Sequence, residues 1–337
     1  MSSLDPQLRG RLETVLAGFA GRRVLVLGDM VADEYIIGRP TRLSREAPIP
    51  VLEWTDRYII PGGATNLARN CRALGGEVTV AGVIGADEPG RTLRQRLEDE
   101  GIGVEGLAEE AGRPTATLTR VIGGGPQIVS QQLARIDRVV RAPIGPAARA
   151  RIVAALERGL PRVDALIVSD YEHGVIDREI IAAALPLAAA RGLTVTVDAH
   201  GDLGRFRGVT VATPNQDEAA ATLGRALRSD DEVCHAGRDL AELMAARGAV
   251  ITRGSEGMTV VERGGACRHL PAASPSEVRD ATGAGDTVSA AVTLALTAGA
   301  SLLEAAWLGN LAAGVVVRRL GAATLTPQEL AVAIARV

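Results

Sequence analysis

Residues 280–287 read Asp-Ala-Thr-Gly-Ala-Gly-Asp-Thr (DATGAGDT), and an apolar, alanine-rich segment, VSAAVTLALTAGA, follows at 288–300. The apolar segment predicts a buried helix that begins near Gly283. A helix start exposes unpaired backbone N–H groups and the positive end of the helix dipole. Glycines at positions 283 and 285 let the backbone approach a ligand closely. The stretch therefore predicts an anion site suited to a phosphate group.

Asp286 lies inside this turn and has two interpretations. As a helix-capping residue it would only stabilise the helix start. As a general base it would take a proton from a hydroxyl group while the neighbouring N–H groups stabilise charge on a transferred phosphoryl group. The turn alone does not separate the two interpretations.

The composition limits the classes of protein to consider. The chain has 337 residues, of which 47% are hydrophobic, and this is enough for one large α/β domain with a sizeable core. The net charge of −3 argues against nucleic-acid binding through a basic surface. Every cationic side chain other than histidine is arginine, which excludes a Schiff-base lysine and a P-loop lysine.

The cysteines and the hydropathy pattern suggest a cytoplasmic protein. Cys71, Cys234 and Cys267 are scattered and lack CxxC spacing, so we expect inert thiols in a reducing compartment. The N-terminal segment does not resemble a signal peptide, and no apolar run is long enough for a membrane span.

Strand and helix patterns alternate along most of the chain. Apolar runs such as VLVLGD (24–29), VDALIVSD (163–170) and AVITRG (249–254) predict buried parallel strands, each followed by a helical pattern. The alternation predicts a doubly wound, mostly parallel sheet with helices on both faces. Residues 33–60 instead contain short strand patterns separated by glycine and proline, which predicts a small β appendage. A hairpin is expected at 257–271, and the last two helices are expected to start near Gly283 and Ser301.

Ligands of such sheets bind beyond the carboxyl ends of the strands. Acidic residues and glycines are concentrated at those positions of the sequence, and they comprise Asp29, Asp33, Gly62, Gly63, Asp170, Asp198, Asn215, Gly254 and the turn at 283–286. Other nucleotide motifs do not fit. A Walker A loop requires lysine, and the GxGxxG fingerprint lacks its third glycine at Val288.

The stretch DATGAGDTVSAAVTLAL (280–296) resembles the C-terminal signature of the ribokinase-like (PfkB) sugar kinases. PGGATNLARNCRALG (61–75) resembles their N-terminal Gly-Gly signature, and the order and spacing of the two agree with that family. Further segments, including QQLARIDR (131–138), VSDYEHGVI (168–176) and TPNQDEA (213–219), resemble the D-glycero-β-D-manno-heptose 7-phosphate kinases within the family. Many of those relatives carry a fused nucleotidyltransferase domain with an HxGH motif, which this sequence lacks.

The resemblance implies a role for each matching residue. Asp286 would be the base, and the N–H groups of Gly283, Ala284 and Gly285 would form the anion hole. The sugar would be held by Asp33, Gly62, Gly63 and Asn66, with Arg135 as a further substrate contact. Asn215 and Glu218 match the NxxE motif, in which Glu218 acts indirectly on Mg²⁺. Thr252, Gly254, Gly257 and Asn310 would bind the nucleotide. Simple structural roles remain open beside these: Asn66 and Asn215 suit helix starts, and residues 252–257 suit a plain strand-to-turn connection.

The resemblance also implies ATP and Mg²⁺ as cofactors and leaves a dependence on a monovalent cation open. The chain would form a single kinase domain over 1–337, with residues 33–60, and optionally 115–132, as a β lid. The lid would close over the sugar, exclude water and pair two subunits into a homodimer.

Two departures from the heptose kinases concern phosphate recognition. His173 and His200 stand where those kinases usually have lysine, and histidine is only partly charged near neutral pH. Arg45, Arg135 or Arg138 are alternative sources of positive charge.

The leading hypothesis is an ATP-dependent kinase that phosphorylates heptose 7-phosphate at O1. A kinase of the same fold acting on another sugar or sugar phosphate, and a non-catalytic binding protein, are the alternatives.

Overall fold

The computed structural model describes residues 5–125, 128–274 and 277–337. Its two sheets are built from strands β1 (Arg23–Gly28), β2 (Met30–Leu43), β3 (Pro50–Gly63), β4 (Glu77–Gly85), β5 (Gly103–Glu110), β6 (Ala116–Gly125), β7 (Ile128–Arg138), β8 (Ala165–Asp170), β9 (Thr194–Ala199), β10 (Val211–Ala212), β11 (Gly248–Thr252), β12 (Met258–Glu262) and β13 (Cys267–Leu270).

The helices are α1 (Pro6–Ala17), α2 (Ala64–Ala73), α3 (Glu88–Asp99), α4 (Pro146–Gly159), α5 (Arg178–Ala190), α6 (Gln216–Leu223), α7 (Asp230–Leu243), α8 (Ala284–Thr297), α9 (Leu302–Val316) and α10 (Pro327–Ala335). We expected the sequence to end in two helices, and this expectation is wrong because α10 follows them. The Thr326 side chain accepts from the Glu329 N–H, and Glu329 reaches back to the Thr326 N–H, so a short polar capping box starts α10.

The large sheet has nine strands in the order β13-β12-β11-β10-β9-β8-β1-β4-β5. Its pairs are parallel from β10/β11 to β4/β5, while β11/β12 and β12/β13 are antiparallel. The predicted doubly wound, mostly parallel sheet is therefore confirmed, and so is the hairpin at its edge.

Helices cover both faces of this sheet, because successive side chains along its strands point alternately into two apolar cores. Within β1, Val24 and Val26 belong to the core that also contains helices α1, α2, α8, α9 and α10. Leu25 and Leu27 point to the opposite core, which contains α4, α5, α6 and α7. Burial on both faces explains the continuous apolar sequence of this strand.

A second, four-stranded sheet has the order β3-β2-β6-β7, and we call it the small sheet. The small sheet comprises residues 30–63 and 116–138. The first range contains the predicted β segment 33–60. The second range begins one residue after the optional segment 115–132 begins and continues six residues beyond its end. Strand β2 pairs with β3 antiparallel and with β6 parallel. This register places Asp33 opposite both Ile60 and Leu118, five residues after the carboxyl end of β1.

The cysteine prediction requires a correction. Cys234 on α7 and Cys267 on β13 form a disulfide with their Cα atoms 5.8 Å apart, whereas Cys71 is a buried free thiol. The antiparallel β12/β13 hairpin returns Cys267 to the helix that covers β11 and β12. A sequence separation of 33 residues without CxxC spacing did not reveal this pair.

Candidate active site

Helix α8 starts where the sequence predicted, and Asp280 organises the turn that precedes it. The Asp280 carboxylate accepts hydrogen bonds from the Thr282 N–H and the Gly321 N–H, each at 2.9 Å. Gly283 has φ +77° and is the N-cap, so Asp286 lies in the first turn of the helix. A Cβ on Gly283 would lie 2.6 Å from the Asn66 Nδ2 atom, whereas a Cβ on Gly285 would meet nothing within 4 Å.

Asp286 is almost fully buried, and two side chains hold its carboxylate. Asn66 Nδ2 donates to one oxygen at 2.6 Å, and the Tyr171 hydroxyl donates to the other at 3.1 Å. One turn along α2, Asn70 accepts a hydrogen bond from Thr287 at 2.8 Å. Helices α2 and α8 therefore bring the two sequence motifs together. Asp286 does not cap the helix through a side-chain hydrogen bond.

Tyr171 was not among the predicted site residues. It follows β8, and Asp29 at the end of β1 shapes its loop by accepting hydrogen bonds from the N–H groups of Tyr171, His173 and Val175. The signal was present, because Tyr171 lies directly beyond the carboxyl end of a central strand. Sequence reasoning used that rule for acids and glycines only.

The electrostatics of Asp286 suit a proton acceptor. Burial, followed by the nearby charge of Asp198, raises the pKa of Asp286 to about 7. The hydrogen bonds from Asn66 and Tyr171 oppose this rise because they stabilise the carboxylate. Burial likewise raises the pKa of Asp198 to about 6, with the charge of Glu218 adding to the effect. A carboxyl group with a pKa near neutrality can accept and release a proton at physiological pH.

A cavity of about 970 Å³ opens beside this turn. Every residue predicted for catalysis, nucleotide binding or metal binding lines it: Asn215, Glu218, Thr252, Gly254, Gly257, Gly283, Ala284, Gly285, Asp286 and Asn310. The Ala284 N–H already donates to the Ala281 carbonyl at 3.2 Å, so Gly283 and Gly285 are the better candidates for anion donors.

Asn215 and Glu218 have a structural role in addition to any role in binding. The Asn215 side chain accepts from the Glu218 N–H, and Glu218 accepts from the Asn215 N–H, both at 2.8 Å. This capping box starts α6. The second oxygen of Glu218 lies 3.0 Å from His200 Nδ1, and this contact raises the pKa of His200.

The two histidines that replace family lysines are placed differently. His200 lines the cavity, and its ring lies 4.5 Å from that of Tyr171. His173 does not line the cavity, and burial followed by the charge of Arg141 lowers its pKa. Of these two histidines, only His200 is therefore placed to contribute positive charge to this cavity.

The predicted sugar residues do not line this cavity, although Asn66 contacts Asp286. Asp33 is buried, and a Cβ on Gly62 would lie 2.3 Å from its Oδ2 atom. Gly63 is the N-cap of α2, one turn before Asn66. Burial raises the pKa of Asp33, and Arg120 opposes this rise through a 2.5 Å contact.

Arg120 was missed by sequence reasoning, whereas Arg135 was named. Arg135 lies opposite Arg120 in the β6/β7 register and pairs with Asp137 at 2.7 Å on the exposed surface of the small sheet. The long-range pairing of β2 with β6 brings Arg120 to Asp33, and no local motif indicated this contact.

Glycines and an amide shape the part of the cavity formed by the predicted nucleotide-binding residues. A Cβ on Gly257 would lie 2.0 Å from the Leu270 carbonyl oxygen, so glycine is required there by packing alone. Asn310 is buried and donates to the Pro271 carbonyl at 2.7 Å. Thr252 at the end of β11 bridges to Asn215.

Comparison with known proteins identifies the family of this chain. Residues 22–329 match the family described as pfkB family carbohydrate kinase. Bifunctional protein HldE of Geobacter sulfurreducens is 41% identical over 323 residues, covering 96% of this chain and 65% of that protein. Bifunctional protein HldE of Caulobacter sp. (strain K31) is 42% identical over 315 residues, covering 93% of this chain and 62% of that protein. The chain thus spans just under two thirds of these relatives.

Solved structures share the fold at low sequence identity. Arabidopsis thaliana ribokinase, solved with ribose and ATP, has a TM-score of 0.73 and 17% identity, covering 93% of this chain and 99% of that chain. Phosphofructokinase-2 from Escherichia coli, solved with substrates and products, has a TM-score of 0.75 and 21% identity, covering 94% and 99%. No helix among the described residues is long and apolar enough to cross a membrane.

Proposed function

Because this chain belongs to the pfkB family of carbohydrate kinases, we propose that it transfers the γ-phosphoryl group of ATP to O1 of D-glycero-β-D-manno-heptose 7-phosphate. The product would be the 1,7-bisphosphate, an intermediate of ADP-heptose synthesis. The observation that carries the proposal is the buried Asp286 carboxylate, held by Asn66 and Tyr171 next to the open start of α8.

The proposed chemistry begins with the proton of the anomeric hydroxyl. Asp286 accepts this proton as the hydroxyl oxygen attacks the γ-phosphorus, and the bond from that phosphorus to the β–γ bridging oxygen breaks to release ADP. The N–H groups at the start of α8, with Gly283 and Gly285 as the open positions, stabilise the charge on the transferred group. Asn66 and Tyr171 keep the carboxylate oriented, which matters because positioning supplies most of the rate enhancement in phosphoryl transfer.

The sugar is proposed to lie between Asp286 and the small sheet. Asp33 and Asn66 offer a carboxylate and an amide to its hydroxyl groups. Gly62 lets the Asp33 carboxylate lie directly against the backbone, and Gly63 packs against Val31, so we assign both glycines to shaping this side of the sugar site. Arg120 donates a hydrogen bond to Asp33, which fixes the orientation of that carboxylate and adds positive charge to the proposed sugar site. We assign Arg135 a more distant contribution to the charge that faces the 7-phosphate.

The residues around the cavity fit ATP with Mg²⁺. Mg²⁺ prefers oxygen ligands, and the carboxylates of Glu218 and Asp198 both line the cavity. We propose that Glu218 would hold Mg²⁺ indirectly, and the ion would supply neutralisation of phosphate charge. His200, paired with Glu218, adds a cation where the family usually has lysine. Thr252, Gly254, Gly257 and Asn310 are assigned to the nucleotide.

A coupled assay of ADP release tests both the reaction and its substrate. The panel comprises heptose 7-phosphate, fructose phosphates, ribose and nucleosides, each with MgATP. We expect the highest kcat/KM with heptose 7-phosphate. A higher value with another sugar would move the assignment within the family, and no turnover with any sugar would contradict kinase activity.

Asp286→Asn tests the base. The substitution should lower kcat by about 10²–10⁴-fold with little effect on nucleotide affinity, because general-base catalysis contributes that much. Asp239→Asn, an exposed residue of α7 paired with Arg225, is the matched control and should retain wild-type activity. Substantial activity in the Asp286 variant would refute the base assignment.

We also propose that the small sheet is the lid and the homodimer surface. Six large hydrophobic side chains of the small sheet and its connecting turn are exposed, namely Leu43, Ile49, Trp54, Tyr58, Leu133 and Ile136. Exposed apolar groups in such concentration suit a protein–protein contact. Trp54→Glu should shift the protein from dimer to monomer in sedimentation analysis, and a wild-type monomer would contradict the proposal.

A further inference from the structure

A second chemically reactive cluster lies outside the active site, at the edge of the large sheet. Cys234 on α7 and Cys267 on β13 are joined, and His269 Nε2 lies 3.3 Å from the Cys234 sulfur. An imidazole beside a thiol favours the thiolate, which is the form that exchanges with disulfides. Cys267 is half-buried on the outermost strand, so reagents in solution can reach the pair.

The disulfide closes a covalent loop that contains part of the cavity lining proposed to bind the nucleotide. The 33-residue separation between the two cysteines encloses β11, residues 253–257 and β12. Thr252, Arg253, Gly254, Glu256 and Gly257 in this loop line the cavity described above. Whether the two cysteines are oxidised or reduced therefore decides whether β13 is covalently joined to α7. The joined segment includes residues 253–257, which line the cavity.

His269 also connects the sulfurs to that loop through side chains. Its Nδ1 lies 2.8 Å from the Thr259 hydroxyl and 3.5 Å from Arg253 NH1. Arg253 is largely buried and donates to Gln216, Asp230 and Glu256. Gln216 and Glu256 both line the cavity. Arg253 therefore connects His269 and the two cysteines to two side chains of the proposed nucleotide site.

We propose that Cys234 and Cys267 form a reversible thiol–disulfide modification site that controls nucleotide affinity, with the disulfide form binding the nucleotide more tightly. This inference rests on the proposed function, because it assigns the cavity to ATP. Tethering would preorganise residues 253–257. Reduction would free β13 from α7 and so loosen the contacts of His269 with Thr259 and Arg253.

The oxidant is a low-molecular-weight disulfide, RSSR. The Cys267 thiolate attacks one sulfur of RSSR, which forms a mixed disulfide and releases RS⁻. The Cys234 thiolate, formed beside His269, then attacks the Cys267 sulfur and releases the second RS⁻. Two electrons pass from the cysteines to RSSR, and the two thiol protons convert the leaving groups to two RSH.

The experiment compares the protein equilibrated with oxidised glutathione and with dithiothreitol. Thiols are counted by alkylation under denaturing conditions and mass spectrometry, and the affinity for a non-hydrolysable MgATP analogue is measured by calorimetry. We expect one alkylated cysteine, Cys71, in the oxidised form and three in the reduced form. The dissociation constant should be about fivefold higher after reduction, a typical size for coupling between two sites.

Two variants separate tethering from folding defects. Cys267→Ser should bind the nucleotide with the affinity of the reduced form under both conditions. His269→Gln should still form the disulfide but show a smaller change in affinity, because the connection to Arg253 is altered.

Three alkylated thiols after oxidation, or equal affinities of the two forms within twofold, would overturn the inference. Tight retention of one Zn²⁺ per reduced chain would also overturn it in favour of a metal site, since the three side chains carry suitable ligand atoms within 4.8 Å of one another. If neither form binds the nucleotide, the proposed function fails, and the thiol count still decides whether the pair is a modification site.

Discussion

Alanine substitutions at three glycines separate backbone strain, steric conflict and ligand approach at the start of α8. Gly283 has φ +77°, and an added Cβ would lie 2.6 Å from Asn66 Nδ2. Gly299 has φ +86° with nothing within 4 Å of an added Cβ. Gly285 has no positive φ, and its Cβ would enter open space in the cavity.

The three sites therefore predict three different outcomes. Gly299→Ala adds left-handed strain of about 1–2 kcal/mol, offset by about 0.5–1 kcal/mol because alanine lowers the entropy of the unfolded chain, so the unfolding free energy should fall by up to about 1.5 kcal/mol. Gly283→Ala also displaces Asn66 from its hydrogen bond to the Asp286 carboxylate, worth about 1.5–3 kcal/mol, for a total loss of roughly 1.5–4.5 kcal/mol. Gly285→Ala should leave stability unchanged or raise it by up to about 1 kcal/mol, because alanine favours a helix.

Activity should follow a different order. Gly285→Ala should lower kcat/KM by about 10²-fold or more, because its methyl group occupies the space where the transferred phosphate approaches the N–H groups. Gly299→Ala should retain full activity at a temperature where it is folded. Urea denaturation measures the stabilities, and ADP release measures kcat/KM. A fully active Gly285→Ala variant would refute the anion site, and an undestabilised Gly283→Ala variant would refute the packing at Asn66.

Three further predictions concern protonation and strain. Since the pKa of Asp286 is raised to about 7 and the carboxylate is the active form, kcat/KM should fall with decreasing pH below about 7, which a pH–rate profile measures. Tyr171→Phe removes a hydrogen bond that stabilises this carboxylate, so the acidic limb should move up by about 1 pH unit; an unmoved limb would exclude Tyr171 from positioning the base. Glu172 has φ +58°, and Glu172→Gly should raise the unfolding free energy by about 0.5–1 kcal/mol in urea denaturation, as strain relief exceeds the added entropy of the unfolded chain. Ala245 has φ +49°, so Ala245→Gly should also raise the unfolding free energy. A loss of stability in both variants would contradict the strain argument.

The parts of the fold with local signals could be predicted from the sequence. Continuous apolar strands such as β1 and the glycine turn before α8 each reflect a nearby physical requirement, namely burial on two faces and a helix start. The proximity of Asn66 and Asp286 followed from the family resemblance, because spacing alone does not show which distant helices meet.

The unpredicted features depend on contacts between distant segments or on weak local patterns. Arg120 reaches Asp33 only because β6 pairs with β2, and Cys267 meets Cys234 only because the β12/β13 hairpin returns to α7. Helix α10 has only nine residues, so its apolar periodicity is short. Tyr171 was overlooked because an aromatic residue after a strand more often suggests core packing than contact with a buried carboxylate such as that of Asp286.

The hydrogen bond between Asn66 and Asp286 joins residues that are 220 positions apart. At 5–20 residues per second, the ribosome needs roughly 10–45 s to make the chain between them. During that time α2 has emerged, but its buried amides, Asn66 and Asn70, lack their partners on α8. The carboxylate that would accept the proton is added only when most of the polypeptide already exists. The proposed phosphoryl transfer would thus be among the last properties that a nascent chain acquires, and an incomplete chain that ends before α8 would lack the proposed base.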